Sequence, residues 1–365
     1  MGVSKPACAS WRDWLVSGVT PAHQSPTEAR ALLAEAGRQG VVGLVAAAPG
    51  ILKTMPDSVR TQWSQAARSL LARGVHQLHL AGGLLRRLEA SGIRALPLKG
   101  AAVAEILYDS PADRPMADLD LLVLGDVARA VRLFEDDEDF RVVERADHAL
   151  ALRHAPTGGI VELHRSVTSC PGLHPLDATG LWHRRESGTG MVPWRPSSAD
   201  LLVQLSLHAA FQHGFGLSLV QFLDFRRLLE RLPPAPELVL EAAAFARAEG
   251  ALLWSLAAAR AVVGAEVPAP LEGALAKRVS RPVRARALEI AKSDPRTLLV
   301  PARPSLLRSR WDLARGRRLE LVRRTLWPAS WPGEPRRNLL LPLRRAGLLL
   351  ARHVVPRRET ETQAR

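Results

Sequence analysis

The chain has 365 residues, 47% of them hydrophobic, which is enough for one large domain or two ordinary ones with a real core and excludes a disordered chain. Its two cysteines, Cys8 and Cys170, show no CxxC spacing, which excludes a disulfide framework and points to a reducing, cytoplasmic interior. The formal net charge of +14 is unevenly placed: residues 277–365 carry 23 Lys or Arg against 7 Asp or Glu, leaving residues 1–276 slightly acidic.

The opening "MGVSKPACASWRDWL" lacks the apolar stretch of a signal peptide, and Pro6 stands where a myristoylation motif needs Ser or Thr. No segment reaches the roughly 18 uninterrupted apolar residues of a membrane span. "SPTEARALLAEAGRQG" opens on a helix-start signal, and "SVRTQWSQAARSLLARGVHQLHLAGGLLRRLEASG" places apolar residues at threes and fours, so residues 1–92 read as an N-terminal helical region. From Ile93 the period shortens. "IRALPL", "DLDLLVL", "FRVVER", "HALALRHA" and "GIVELHRSV" read as strands, with helix-like "AAVAEILYD" and "DVARAVRLFEDD" between the first three. That order predicts an α+β core with a small mixed sheet over residues 93–195. Residues 196–300 read as a helical domain and 301–365 as a basic, Arg/Leu/Trp-rich helical tail, with no internal repeat.

The stretch "LPLKGAAVAEILYDSPADRPMADLDLLVL" carries the chemistry. Residues i and i+2 of a strand share a face, so Asp118 and Asp120 are expected to project together. Two desolvated carboxylates repel unless a cation lies between them, and Mg²⁺ is typically held by one or two carboxylates plus substrate phosphates. The Lys99-Gly100 pair ends one strand and opens a helix near Ala101, where free backbone N–H groups attract phosphate.

These residues resemble the signature of a group of bacterial nucleotidyltransferases within the DNA polymerase beta superfamily, in which a Lys-Gly turn is followed by a helix, an arginine and an Asp-x-Asp strand. The resemblance continues through "IVELHRS", "DLLVQLSLHAAFQHG" and "FLDFRRLL", covering about residues 75–232. Typical superfamily members carry Gly-Ser at the phosphate turn where this subfamily has Lys-Gly. The resemblance implies a polymerase-beta-like core flanked by helices, and an enzyme moving an NMP group from an NTP to an acceptor it does not identify. It implies Asp118, Asp120 and Glu162 as ligands of Mg²⁺, with Mn²⁺ as the alternative, and Glu162 as the group that helps activate the acceptor hydroxyl. It also implies that Lys99 and the amides around Gly100 and Ala101 hold the leaving pyrophosphate while Arg114 neutralises its charge.

Other residues have plainer readings. His164 shares the strand face of Glu162 and can touch substrate or serve as a structural hydrogen-bonding residue. His208 reads as buried, Tyr108 as core, and "EDDEDF" as a solvated helix end. His164, Cys170 and His174 match no standard zinc spacing. Arginine pairs among Leu and Trp in the tail suit nucleic acid, an anionic membrane surface or a protein partner. The competing function is therefore a non-catalytic scaffold that kept the fold and binds through its tail. Mutually repelling acids on one face favour the enzyme.

Overall fold

The computed structural model describes residues 8–18, 25–300 apart from 49, 147, 169 and 171, and 306–326 apart from 315. Helices α1 (Cys8–Ser17), α2 (Pro26–Gln39), α3 (Val42–Ala47) and the 34-residue α4 (Asp57–Ala90) precede a five-stranded sheet. Its strands are β1 (Ala95–Pro97), β2 (Leu119–Val123), β3 (Phe140–Arg145), β4 (Ala149–His154) and β5 (Ile160–His164), with α5 (Lys99–Leu107) after β1 and α6 (Val127–Glu135) after β2. Then come α7 (Ala178–His183) and a short hairpin of β6 (Glu186–Ser187) and β7 (Trp194–Arg195). The helices that follow are α8 (Ser198–Phe211), α9 (Leu219–Arg231), α10 (Pro236–Phe245), α11 (Glu249–Val263), α12 (Ala269–Arg278), α13 (Arg281–Lys292), α14 (Leu306–Leu313) and α15 (Arg318–Leu326). This is the α+β architecture read from the sequence: a small mixed sheet with helical flanks.

Local chemistry explains the boundaries. Ser25 accepts from the amide of Glu28 while Glu28 accepts from Ser25 N–H, a reciprocal cap that starts α2 with Pro26 at its first position, and Gly40 closes it in the left-handed conformation. The sheet runs β1-β2-β5-β4-β3, antiparallel throughout except for the parallel β2–β5 pair. Leu119, Leu121 and Val123 of β2 and Val161 and Leu163 of β5 pack into one cluster with Leu84, Leu85 and Leu88 of α4 and Phe134 of α6. Leu96, Leu122 and Leu124 belong instead to the larger cluster of the helices, which includes α8, α9 and α11. Both sides of the inner strands β2 and β5 are thus covered, and these strands read as apolar runs except where one face turns polar at Asp120, Glu162 and His164, whereas the edge strand β3 is largely exposed.

α8 and α11 are buried around most of their circumference, as helices at the centre of a helical layer must be. The described part of the basic tail is tied to this layer: Arg310 Nε donates to the carbonyl of Phe211 at 2.8 Å, and Ala314 and Leu321 enter the core. Arg318 stacks over Trp311 at 4.6 Å. The remainder of the tail, including "NLLLPLRRAGLLLARHVV", lies outside the described residues. Among the described residues no helix is long and apolar enough to cross a membrane.

One buried ion pair fixes the loop that leads into β2. Arg114 Nε and Nη2 grip both oxygens of Asp224 on α9 at 2.7–3.0 Å, and Nη1 donates to the carbonyl of Pro115 at 2.9 Å. Tyr108, at the end of α5, donates its hydroxyl to the same carboxylate at 2.7 Å. Burial, then the Asp224 charge, pushes the Tyr108 phenol well above its usual range, so it stays neutral and keeps its proton for that bond. Burial works against the Arg114 charge, yet Asp224 outweighs it and holds the guanidinium charged. Removing one partner of such a pair leaves a buried charge uncompensated, at a cost of about 3–5 kcal/mol. Asp224→Asn is therefore expected to lower the urea midpoint by a corresponding amount, and a midpoint equal to the wild type would contradict a structural role for the pair.

Candidate active site

The parallel register sets Asp120 directly beside Glu162, and Glu162 and His164, two residues apart, share its sheet face. Asp120 is 3% exposed and its Oδ1 accepts from two cations or potential cations: Lys99 Nζ at 2.7 Å and His164 Nε2 at 2.7 Å. His164 Nε2 also lies 3.2 Å from Glu162 Oε2. An ionised carboxylate can only accept, so Nε2 carries the proton. Its ring is buried, with Nδ1 lacking a hydrogen-bond partner among the described residues.

The electrostatics follow from these contacts. Burial alone would raise the Asp120 carboxyl, but Lys99 and the bonded His164 outweigh it and hold the group far below its usual range. Burial would lower His164, but its hydrogen bonds to Asp120 and Glu162 raise it. Asp118 is treated in the opposite way. Burial, and then the neighbouring Asp120 charge, push its carboxyl up to about 6, with Lys99 only partly offsetting them. The repulsion expected of the pair therefore falls on Asp118, not on Asp120.

Asp118 also departs from the expected placement. It lies in a bend just before β2, not within the strand, so the strand period does not itself set its direction. Asp120, Glu162 and His164 each offer a ligand atom, all within 4.8 Å of one another, whereas Asp118 stands outside that group of three. Two carboxylates suit a hard divalent cation, and the buried Asp118 beside them, raised first by burial and then by the Asp120 charge, would be favoured in its charged form by a cation there. The acids present thus fit a metal ion.

The phosphate turn has an unusual backbone. Lys99 adopts φ +49°, the left-handed region, which costs a non-glycine residue about 1–2 kcal/mol. The amide of Leu98 donates to the carbonyl of Asp120 at 2.9 Å, which pins the turn against β2 and puts Lys99 within reach of the Asp120 carboxylate. No side chain caps α5, leaving its first amides without a side-chain acceptor. A Cβ on residue 100 would come within 2.6 Å of Met116 Cγ, so the close approach of that side chain favours glycine there.

Lys99, Gly100, Arg114, Asp118, Asp120 and Glu162 all line one cleft of about 1060 Å³ between the polar face of β2 and β5 and helices α2, α4, α8 and α9. Ala101 is buried in the sheet-side cluster behind the turn. Arg114 lines the cleft with its guanidinium already held by Asp224. His164, Cys170 and His174 do not come together: His174 shares a hydrogen bond with the carbonyl of Ala246 at 2.9 Å and rests its ring 4.3 Å from Phe211.

Sequence reasoning gave several cleft residues no site role, among them His208, which it placed as buried. His208 and His213 face each other with Nε2 atoms 2.9 Å apart, and burial drives the His208 pKa well down, keeping it neutral. Asp224 was open to detection, since an acid between Leu and Phe on the apolar side of an amphipathic helix requires a buried partner. His148, whose ring lies 5.5 Å from that of His164, precedes β4 and gave no such signal.

No curated protein and no solved structure gave a match to the chain. A family model described as an uncharacterised nucleotidyltransferase matches residues 25–264, from the cap of α2 to Gly264 at the end of α11. That match spans more than half of the chain and takes in the Lys99-Gly100 turn, Arg114, Asp118, Asp120, Glu162 and His164, and the chain therefore belongs to this uncharacterised nucleotidyltransferase family.

Proposed function

We propose that the cleft transfers a nucleotidyl group from an NTP to an acceptor hydroxyl or similar group with the help of a divalent metal. The observation that carries this reading is the pairing of Asp120 with Glu162 on adjacent parallel strands, beside the Lys99-Gly100 turn and in one cleft of about 1060 Å³. Asp120, Glu162 and Asp118 would hold the ion, Mg²⁺ or Mn²⁺, while His164, through its protonated Nε2, orients the first two. When bound, such an ion neutralises charge on the triphosphate and polarises its phosphoryl oxygens.

The protein's own groups do the rest. Lys99 Nζ and the uncapped amides at the start of α5 bind the departing pyrophosphate. Glu162 is partly open, with 26% of its side chain exposed, and accepts the proton of the acceptor hydroxyl. The acceptor oxygen then bonds to the α-phosphorus as the bond to the β-phosphate oxygen breaks, and pyrophosphate leaves with part of its charge offset by Lys99. Arg114 supports the site from behind by fixing residues 114–118 to α9.

Incubating the purified protein with Mg²⁺ or Mn²⁺ and each α-labelled NTP, with cell extract as the acceptor source, is expected to give metal-dependent label transfer. Asp120→Asn should reduce it on the order of a hundredfold or more, at or beyond the upper end of what even indirect partners of a metal cost. Absence of metal-dependent transfer and of NTP binding in the wild type would favour the non-catalytic scaffold.

A second test uses the raised Asp118. Its folded pKa of about 6 exceeds the ordinary carboxyl value, so the folded state binds the proton more tightly and loses stability as pH rises toward and past 6. Asp118→Asn is thus expected to melt higher than the wild type at pH 7.5 without metal, with the difference vanishing below about pH 4, under the ordinary carboxyl value. Equal melting at both pH values would contradict the raised Asp118 carboxyl.

A further inference from the structure

The cleft carries five lysine or arginine side chains, and four are committed. Lys99 meets Asp120, Arg114 meets Asp224, Arg38 Nε donates to Glu35 at 2.8 Å, and Arg310 donates to the Phe211 carbonyl. Arg73 on α4 is exposed and has no hydrogen bond or ion pair among the described residues.

Its position is fixed by its neighbours. Gly74 packs so tightly that a Cβ there would lie 2.8 Å from the Pro111 carbonyl oxygen. Gln77, one turn after Arg73 on the same helix face, donates to the Met116 carbonyl at 3.3 Å. Met116 in turn covers Gly100 of the phosphate turn. α4 is therefore anchored along residues 111–116, and Arg73 stands on its cleft side next to the loop that joins the turn to Asp118. The cleft offers four carboxylates, of which Asp224 is paired with Arg114 and Asp120 with the one lysine, so a triphosphate entering it brings negative charge beyond what these groups and a single divalent ion balance.

We propose that Arg73 is the residue that binds the terminal phosphates of the NTP. This rests on the nucleotidyl-transfer reading and adds to it a contact from the N-terminal helical region. A free guanidinium presents paired N–H donors that match two phosphate oxygens, which an ammonium does not. An anionic acceptor would present the same chemistry, and the two sources are separable with a ligand that has phosphates only.

The test is calorimetric titration of Mg²⁺–tripolyphosphate and of Mg²⁺–NTP into the full-length wild type, Arg73→Gln and Arg73→Lys. Arg73→Gln is expected to weaken tripolyphosphate and NTP alike by about tenfold or more, the scale of a lost charged hydrogen bond, with Arg73→Lys intermediate. Melting temperatures should match in all three proteins, because Arg73 has no partner to lose. Unchanged tripolyphosphate affinity in Arg73→Gln, with wild-type binding intact, overturns the proposal and leaves the nucleotidyl-transfer reading standing, as does a melting temperature lowered in both variants. A wild type that binds neither ligand overturns both.

Discussion

A buried carboxylate on an inner strand of an apolar sheet organises this site. Asp120 is nearly inaccessible, and an isolated charge there would be expensive to keep. Its oxygen is held by Lys99 on one side and His164 on the other, so the charge survives burial because two separate elements supply donors, one of them an ammonium. Lys99 accepts a left-handed backbone to reach it, and His164 gives up a partner on its other nitrogen. Strain and an unsatisfied atom gathered around one acid are features that packing alone does not favour, and they cluster where function needs a preset geometry.

The rest of the fold supplies the frame. The parallel β2–β5 pair fixes the separation of Asp120 and Glu162, and the leucines on the reverse face hold that register by burial against α4 and α6. A slip of one residue would turn the acids into that apolar cluster. The Arg114–Asp224–Tyr108 contacts tie the end of α5, the loop before β2 and α9 into one unit, so the helical layer sets the position of Asp118 from a distance. An arginine in the loop after a Lys-Gly turn thus works here as a brace.

Much of this was legible in the sequence, for local reasons. The α2 cap, the five strands and the Lys99-Gly100 turn are each written in a few adjacent residues. Short-range chemistry decides them. The pairing of Asp120 with Glu162 needed the family motif, because 42 positions separate them and only the sheet brings them together. What escaped depends on long-range placement. Asp118 was read as a strand residue because the period-two pattern extends through it, whereas the chain bends until Leu119. Arg114 could not be linked to Asp224, 110 positions away, nor Arg73 to the cleft, until α4 was seen lying against residues 111–116.

The most direct measurement of the central claim is a crystal structure with Mn²⁺ and a non-hydrolysable NTP analogue, read through the anomalous signal of the ion. The account predicts a manganese peak between Asp120 and Glu162 within reach of Asp118, with the triphosphate over the start of α5 and Lys99 turned from Asp120 toward phosphate. A nucleotide bound elsewhere, or no manganese at these carboxylates with the Lys99–Asp120 pair intact, would contradict it.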